Sequence, residues 1–192
     1  MKIPIEVTAR HIHINRADLE TLFGYGYQLN KLRNLSQSKF FACQETLDIE
    51  SVKGTIPNVR LVGPDRSYTQ VEISTTDAYK LGIKPKIRNS GSLVGTPGIL
   101  LIGPKNSLKL EKGVIIAHRH IHLNKEEAAK LSLKDGQKVK VEIQNGIRSL
   151  IFKNVLIRVH KDFKLAMHVD TDEGNAAGLD RFGYGKIINN QY

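Results

Sequence analysis

Residues 10–15 read Arg-His-Ile-His-Ile-Asn and residues 119–124 read Arg-His-Ile-His-Leu-Asn, so the chain contains an internal repeat. In each copy a helical pattern follows directly, at residues 16–22 and at residues 125–131. Self-similarity of this kind indicates duplicated structural units. The repeat therefore predicts two related units, in each of which a short strand leads into a short helix.

Both predicted helices begin at a residue whose side chain caps helix N-termini well. Asn15 precedes the first helix and Asn124 precedes the second, and an acidic residue follows three positions later, Asp18 or Glu127. The asparagine oxygen accepts a hydrogen bond from a backbone N–H of the first turn, and the acidic side chain closes a capping box. The spacing predicts strand, cap and helix in both units.

The rest of the chain has the pattern of many short strands. Gly-Pro turns punctuate two similar apolar runs, Leu-Val-Gly-Pro at 61–64 and Leu-Ile-Gly-Pro at 101–104. Short strands at this spacing, with few helices, favour a mainly β fold of two small β-barrels capped by short α-helices over a doubly wound sheet or a TIM barrel. One more short helix is predicted at 76–81, and the predicted strands are 59–62, 69–73, 98–102, 114–116, 138–143, 150–159 and 165–169.

Length and composition narrow the class of protein. The 192 residues suffice for one domain or two small ones, and 40% hydrophobic with 25% charged residues is typical of a folded globular protein. The longest apolar stretches, such as Ile99–Ile102, fall far short of the roughly 18–20 residues that cross a bilayer, so we expect a cytoplasmic protein. A single cysteine, Cys43, excludes an intrachain disulfide and a cysteine-based zinc cluster.

The net charge of +10 indicates attraction either to nucleic acid or to a polyanionic small molecule. The lysines are scattered and tryptophan is absent, so no stacking platform for bases is evident. The chain also lacks the glycine-rich signatures of P-loop and Rossmann nucleotide binding and the G-x-S-x-G nucleophile elbow. We therefore expect no nucleic-acid partner and no membrane partner.

The histidines of the repeat alternate with aliphatic residues. In a strand, residues two apart share a face and lie about 6.6 Å apart, so His11 and His13 point to one side, as do His120 and His122. Two imidazoles at this spacing can bind one cation through neutral nitrogen atoms. We predict a metal role for these four residues. The alternative is a duplicated, half-exposed strand whose imidazoles bond to backbone or water.

Each pair of histidines needs a third ligand, because a catalytic metal takes about three protein ligands and keeps one position open. His168 ends a predicted strand before a turn, which is a common place for site residues. Glu72 lies among apolar residues of a predicted strand, where a solvent-facing side chain is the simpler reading. His118 and His160 have basic neighbours and are expected at the surface.

Six motifs carry a family resemblance: Thr-Ala-Arg-His-Ile-His-Ile at 8–14, Leu-Val-Gly-Pro-Asp-Arg at 61–66, Thr-Gln-Val-Glu-Ile-Ser at 69–74, Gly-Thr-Pro-Gly-Ile at 95–99, Arg-His-Ile-His-Leu at 119–123 and Met-His-Val-Asp-Thr-Asp-Glu-Gly-Asn-Ala-Ala at 167–177. With these motifs in this order, the chain resembles the PduL family of phosphate acyltransferases (phosphotransacylases). The resemblance implies conversion of acyl-CoA and phosphate into acyl phosphate and free coenzyme A. It also implies two zinc ions, a homodimer, and two β-barrels formed by residues 1–9 with 118–187 and by residues 10–117.

The resemblance further implies site residues by position. Arg66 falls on the catalytic, phosphate-binding arginine of the family. Three CoA positions are substituted, with Thr8 in place of Ser, Arg33 in place of Lys and Val62 in place of Leu, while His118 replaces a usual Lys and is not counted as a ligand. The implied sets are one zinc on His11, His13 and Glu72, the other on His120, His122 and His168, and coenzyme A on Thr8, Arg33, Arg60, Val62, His168 and Asn175.

Several functional alternatives remain open at this point. The first family motif lies close to residue 1, so we expect no targeting peptide of the kind that microcompartment members carry. We expect acetyl-CoA or propanoyl-CoA as the substrate. A metal-dependent hydrolase or cupin-like dioxygenase is a second candidate, because H-x-H followed by Glu126 resembles part of a cupin box. A non-catalytic nucleic-acid-binding barrel is the third, and it would bind oligonucleotides without metal.

Overall fold

The computed structural model describes residues 2–188, which form two compact units. The terminal unit consists of the described residues within Met1–Ala9 and His118–Tyr192, and the central unit consists of Arg10–Ala117. The elements are, in chain order, β1 (Lys2–Thr8), β2 (His11–His13), α1 (Arg16–Phe23), β3 (Lys31–Asn34), β4 (Phe41–Ser51), β5 (Gly54–Gly63), β6 (Gln70–Glu72), α2 (Thr75–Leu81), β7 (Lys86–Arg88), β8 (Ile99–Ile102), β9 (Ser107–Leu110), β10 (Val114–Ala117), β11 (His120–Leu123), α3 (Lys125–Lys130), β12 (Lys138–Ile143), a 3-10 turn (Gly146–Arg148), β13 (Leu150–Val159), β14 (Ala166–Asp170), α4 (Thr171–Ala176) and β15 (Phe182–Ile188).

The strands of the terminal unit close into a barrel with the order β1-β14-β11-β13-β12-β15. β1 joins the barrel by pairing in parallel with β14 and antiparallel with β15. Along β12 the buried residues Val139, Val141 and Ile143 alternate with more exposed charged residues, as expected of a strand with one face on a core. The barrel interior is filled by aliphatic side chains that include Ile3, Ile5, Ile121, Leu123, Val155, Ile157 and Met167.

The central unit is built on a nine-stranded sheet with the order β7-β10-β6-β2-β5-β4-β8-β9, in which β3 pairs with β4. Helices α1 and α2 cover the sheet by burying Leu19, Leu22 and Leu81, because their apolar residues recur at helical spacing. The core of this unit includes Ile12, Ile14, Leu47, Ile49, Leu61, Val71 and Leu101.

The predicted mainly β architecture with short helices is confirmed. The terminal unit is a closed barrel, whereas the described pairings of the central unit form a sheet that runs from β7 to β9. The predicted short helix at 76–81 is α2, which begins one residue earlier, at Thr75. Among the described residues, no helix has the length and apolar character that a membrane crossing requires.

Both copies of the repeat have the same strand neighbours. β2 pairs in parallel with β5 and antiparallel with β6, and β11 pairs in parallel with β13 and antiparallel with β14. The predicted caps are present, because Asn15 accepts from the backbone N–H of Asp18, and Asn124 forms a full capping box with Glu127. The antiparallel neighbours are also followed by capped helices, because α2 follows β6 and α4 follows β14.

Candidate metal centres

The two histidines of β2 lie beside a carboxylate of the neighbouring strand β6. His11 is the register partner of Glu72 in this antiparallel pair. The Nε2 atoms of His11 and His13 are 3.2 Å apart, and oxygens of Glu72 lie 3.6 Å from His11 Nε2 and 3.8 Å from His13 Nε2. One ligand atom from each residue lies within 4.8 Å of the other two, so this first trio has the dimensions to hold one metal ion.

His13 is in the protonation state that a metal ligand needs. Burial holds the pKa of His13 well below its ordinary value, and the nearby His11 and Arg66 lower it further. His13 Nδ1 lies 3.3 Å from the carbonyl oxygen of Val62, and because a carbonyl only accepts, this nitrogen carries the proton. The lone pair of the neutral ring is then on Nε2, the atom that faces Glu72.

A buried amide fixes the orientation of Glu72. The side chain of Gln70, two residues earlier on β6, is fully buried and donates from Nε2 to Glu72 Oε1 at 2.6 Å and to Ser90 Oγ at 2.9 Å. Its Oε1 accepts the backbone N–H of Gly91 at 2.7 Å. The sequence analysis did not predict Gln70 or Ser90 as site residues, although a polar residue on the same face of the strand as Glu72 was a usable signal.

Arg66 belongs to the same hydrogen-bond network. Its Nη1 donates to Ser90 Oγ at 3.2 Å and to the Tyr68 hydroxyl at 3.4 Å. The guanidinium carbon lies 5.1 Å from the ring centroid of Phe40 and 6.0 Å from that of Tyr68, so aromatic faces support the planar group. A supported guanidinium with donors in a fixed fork is well suited to bind a phosphate group.

Three histidines form a second cluster, in the terminal unit. His120 and His122 lie on β11, and His168 on β14 is the register partner of His120. The ring centroids are 4.5 Å apart for His120 and His122, 4.9 Å for His122 and His168, and 5.3 Å for His120 and His168. This second trio is the looser one, since only the first trio brings three ligand atoms within 4.8 Å of one another in the described part of the chain.

Two imidazoles of the second trio, those of His120 and His122, are also held neutral. Burial, followed by the charge of His168, lowers the pKa of His120 to about 3, and burial followed by the charge of His120 lowers that of His122. His120 Nδ1 lies 2.7 Å from the carbonyl oxygen of His118, so the proton is on Nδ1 and the lone pair is on Nε2.

His122 supplies an independent test of whether a metal fits the second trio. Within residues 2–188, both of its ring nitrogens are buried without a hydrogen-bond partner. A buried polar atom without a partner is costly and rare, and a bound metal ion is one way to satisfy it. The donor set of neutral imidazole nitrogens is also the set that zinc prefers. The residues present therefore fit a zinc ion.

Comparison with known proteins gives the family. A sequence model described as phosphate propanoyltransferase matches residues 4–180. The chain belongs to the phosphate propanoyltransferase family. The resemblance to PduL-type phosphotransacylases is confirmed. Proteins named phosphate propanoyltransferase are similar over most of their length: that of Thermotoga maritima is 54% identical over 178 residues (93% of this chain, 85% of that protein), that of Salmonella typhimurium 48% over 178 residues (93% and 84%), and that of Listeria monocytogenes 45% over 186 residues (97% and 87%).

The CoA positions implied by membership of the phosphate propanoyltransferase family are distributed over both units. In the terminal unit, Thr8 ends β1 as the register partner of Asp170, close to Glu6, the partner of His168 in the same ladder. Asn175 lies in α4, which follows His168 along the chain, and its carbonyl oxygen accepts from Arg148 Nη1 at 3.1 Å.

The other CoA positions lie in the central unit. Arg60 on β5 is the register partner of His11, and its Nη1 donates to the carbonyl oxygens of Cys43 and Gln44 at 3.1 and 2.7 Å. Val62 is buried on the same strand and contacts His13 through its carbonyl oxygen. Arg33 is exposed on β3. Arg60 and Val62 thus lie next to the first trio.

The remaining candidate residues lie elsewhere. His160 is exposed, and His118 Nδ1 lies 2.9 Å from the carbonyl oxygen of Arg119. Cys43 is buried, and burial, followed by the charge of Glu45, raises its thiol pKa to about 11. Glu126 is exposed in the first turn of α3.

Proposed function

We propose that this protein is a phosphate acyltransferase that interconverts a short-chain acyl-CoA and phosphate with acyl phosphate and coenzyme A. The observation that carries this proposal is the single network in which Arg66, Ser90 and Gln70 lead by hydrogen bonds to Glu72 of the first trio. This network supports the proposal because it links a guanidinium suited to phosphate with residues suited to a metal ion. The name phosphate propanoyltransferase of the similar proteins supports this chemistry. We propose that the group transferred is acetyl or propanoyl.

We assign one zinc ion to the first trio and a second to the second trio. The assignment is supported by the neutral imidazoles whose Nδ1 protons are bonded to backbone carbonyls, by the carboxylate that Gln70 orients, and by the buried nitrogens of His122. Zinc bound at such residues supplies a Lewis acid that polarises a thioester carbonyl and stabilises a thiolate.

We assign phosphate to Arg66. At neutral pH phosphate is already an anionic nucleophile, so the protein has to bind and orient it rather than take a proton from it. The guanidinium binds two phosphate oxygens side by side, and its packing against Phe40 and Tyr68 limits its orientation. A phosphate oxygen held about 3–3.5 Å from the thioester carbonyl carbon forms the new C–O bond as the C–S bond breaks and coenzyme A leaves as the thiolate.

Coenzyme A brings a diphosphate and a 3′-phosphate, so a chain with a net charge of +10 favours it as a ligand. We propose its contacts at the positions that the family resemblance implies, together with a homodimer and a domain division into residues 1–9 with 118–187 and residues 10–117. The proposed CoA contacts are Thr8, Arg33, Arg60, Val62, His168 and Asn175.

The test is an assay of purified protein with acetyl-CoA or propanoyl-CoA and phosphate, in which free thiol and acyl phosphate are measured separately. We expect equal amounts of both products, loss of both after chelator treatment, and recovery after zinc is added back. Release of the free acid without acyl phosphate would instead identify a hydrolase. A metal-free protein that binds oligonucleotides in a salt-dependent manner and releases no thiol would identify a nucleic-acid-binding barrel.

A further inference from the structure

The arginine that opens each copy of the repeat makes an ion pair that the proposed chemistry does not use. In the central unit, Arg10 precedes His11 and bonds Asp77 with two donors, Nε to Oδ2 at 2.9 Å and Nη2 to Oδ1 at 2.7 Å. The Asp77 side chain is 1% exposed and that of Arg10 is 37% exposed. A two-donor bond between arginine and a buried carboxylate is strong and restricts both side chains.

The terminal unit contains a related ion pair, in which one donor of the arginine reaches the carboxylate. Arg119 precedes His120, and its Nη1 donates to Glu173 Oε1 at 2.6 Å while its Nε donates to the carbonyl oxygen of Lys153 at 2.9 Å. The acidic partner differs between the units, Asp77 in one and Glu173 in the other. The carboxylate is therefore preserved between the copies, whereas the length of its side chain is not.

Both carboxylates occupy the same place relative to the third ligand of their trio. Asp77 closes the capping box of α2 with Ser74, and Ser74 lies two residues after Glu72. Glu173 closes the capping box of α4 with Asp170, which lies two residues after His168. In each acidic side chain one oxygen accepts the backbone N–H of the capping residue. The arginine donates to both oxygens of Asp77, and in the terminal unit it donates to the other oxygen of Glu173.

The ion pairs lie just beyond the end of the ladders that hold the trios. The register of β2 and β6 ends with His11 opposite Glu72, and that of β11 and β14 ends with His120 opposite His168. Past this point no ladder bond is formed between the two strands of either pair in the described residues. In each unit the arginine links the two strands beyond this point. It directly precedes the first histidine, and its ion pair reaches the helix that follows the third ligand.

We propose that Arg10 and Arg119 are positioning residues that hold the third ligand of each trio at its distance from the two histidines. This inference rests on the proposed function, because it assumes that the trios bind metal. Each arginine acts on its own unit. Arg10 sets the position of Glu72, and Arg119 sets that of His168.

The experiment measures zinc affinity by competition with a chelator and the visible absorption of Co²⁺ bound in place of zinc, for Arg10→Gln, Arg119→Gln and the double variant. We expect each single variant to weaken one metal equivalent about tenfold, as loss of a residue that orients a ligand does, and to change the Co²⁺ spectrum of that equivalent. The double variant weakens both. Asp77→Asn reproduces Arg10→Gln, and combining the two adds little, because they remove one interaction.

Arg16→Gln is the matched control. Arg16 bonds Glu20 at 2.9 Å within the single helix α1 of the same unit, and both side chains are half-buried and lie outside the strands that carry the first trio. Arg16→Gln should leave metal affinity and the Co²⁺ spectrum within about twofold of the wild type, because an ion pair between neighbouring turns of one helix contributes little and does not join the two strands of the trio. If Arg10→Gln does not fold, Arg10→Lys decides, since it keeps the charge and removes the two-donor geometry.

Two outcomes overturn the inference, and they differ from each other. Wild-type binding of two zinc equivalents, with Arg10→Gln and Arg119→Gln indistinguishable from Arg16→Gln, would disprove the positioning role while the proposed function stands. Failure of the wild-type protein to bind zinc would show that the proposed function itself is wrong.

Discussion

Glu72 and His168 occupy equivalent positions in the two units. Glu72 on β6 faces His11 in register, and His168 on β14 faces His120 in register. The repeat has therefore kept the position of the proposed third ligand while its chemistry differs, a carboxylate in one unit and an imidazole in the other. Because the carboxylate adds a negative charge, a metal in the first trio faces a more strongly donating set than one in the second.

Replacement of Glu72 by Gln should remove this charge and leave the side-chain shape. We expect zinc binding at the first trio to weaken and acyl phosphate formation to fall by more than about 100-fold, since a direct ligand counts for at least as much as the residue that orients it. Glu126→Gln is the control, because Glu126 is exposed on α3. Activity of Glu72→Gln equal to that of the control would exclude Glu72 as a ligand.

Replacement of Arg66 by Ala should abolish most turnover while zinc content stays unchanged, because we assign phosphate to the guanidinium and the metal ions to the two trios. Arg66→Lys keeps the charge but loses the bidentate grip and the packing on Phe40, so we expect a raised KM for phosphate and a smaller loss of kcat. Initial rates at several phosphate concentrations, with metal analysis of each preparation, check this. Normal rates for Arg66→Ala at ordinary phosphate concentration would refute the role.

Replacement of Gln70 by Leu should both destabilise the protein and weaken the first metal site. The change leaves the backbone N–H of Gly91 without its partner and releases Glu72. We expect a loss of about 1–3 kcal/mol in the free energy of unfolding, the cost of an unsatisfied buried group. Chemical denaturation measures it, and Gln28→Leu, the same change at an exposed position, should be nearly neutral. Equal effects of the two substitutions would contradict the buried network.

The thiol of Cys43 should react slowly in the folded protein. Burial raises its pKa from 9.0 to about 11, so little thiolate forms below pH 10. The Cys43 thiolate is less favourable in the folded state than in the unfolded chain. The contribution of Cys43 to the free energy of unfolding is therefore present below pH 9 and falls as the pH rises from 9 towards 11. Alkylation rates with and without denaturant, and the pH dependence of unfolding of Cys43→Ala, measure both effects. Equal alkylation rates in the two conditions would disprove the shift.

The local features of both units were predictable because they follow from short-range geometry. The two H-x-H strands, their asparagine caps and the helices after them depend on residues within a few positions of one another. Glu72 shows the limit of this approach. Its alternation with apolar residues placed it on a polar face of the strand, and such a face can point either to solvent or into a site. The family resemblance was needed to predict Glu72 as a ligand.

The sequence by itself determined the repeat, the face on which each histidine pair lies, and the start of the helix that follows each pair. Only the tertiary structure decided which strands are neighbours and in which register. These choices set Glu72 opposite His11, linked Arg66 through Ser90 to Gln70, and paired Arg10 with Asp77, 67 residues away. The physical reason is that a period of two specifies a strand's faces but not its partner, and register depends on the packing of the whole sheet.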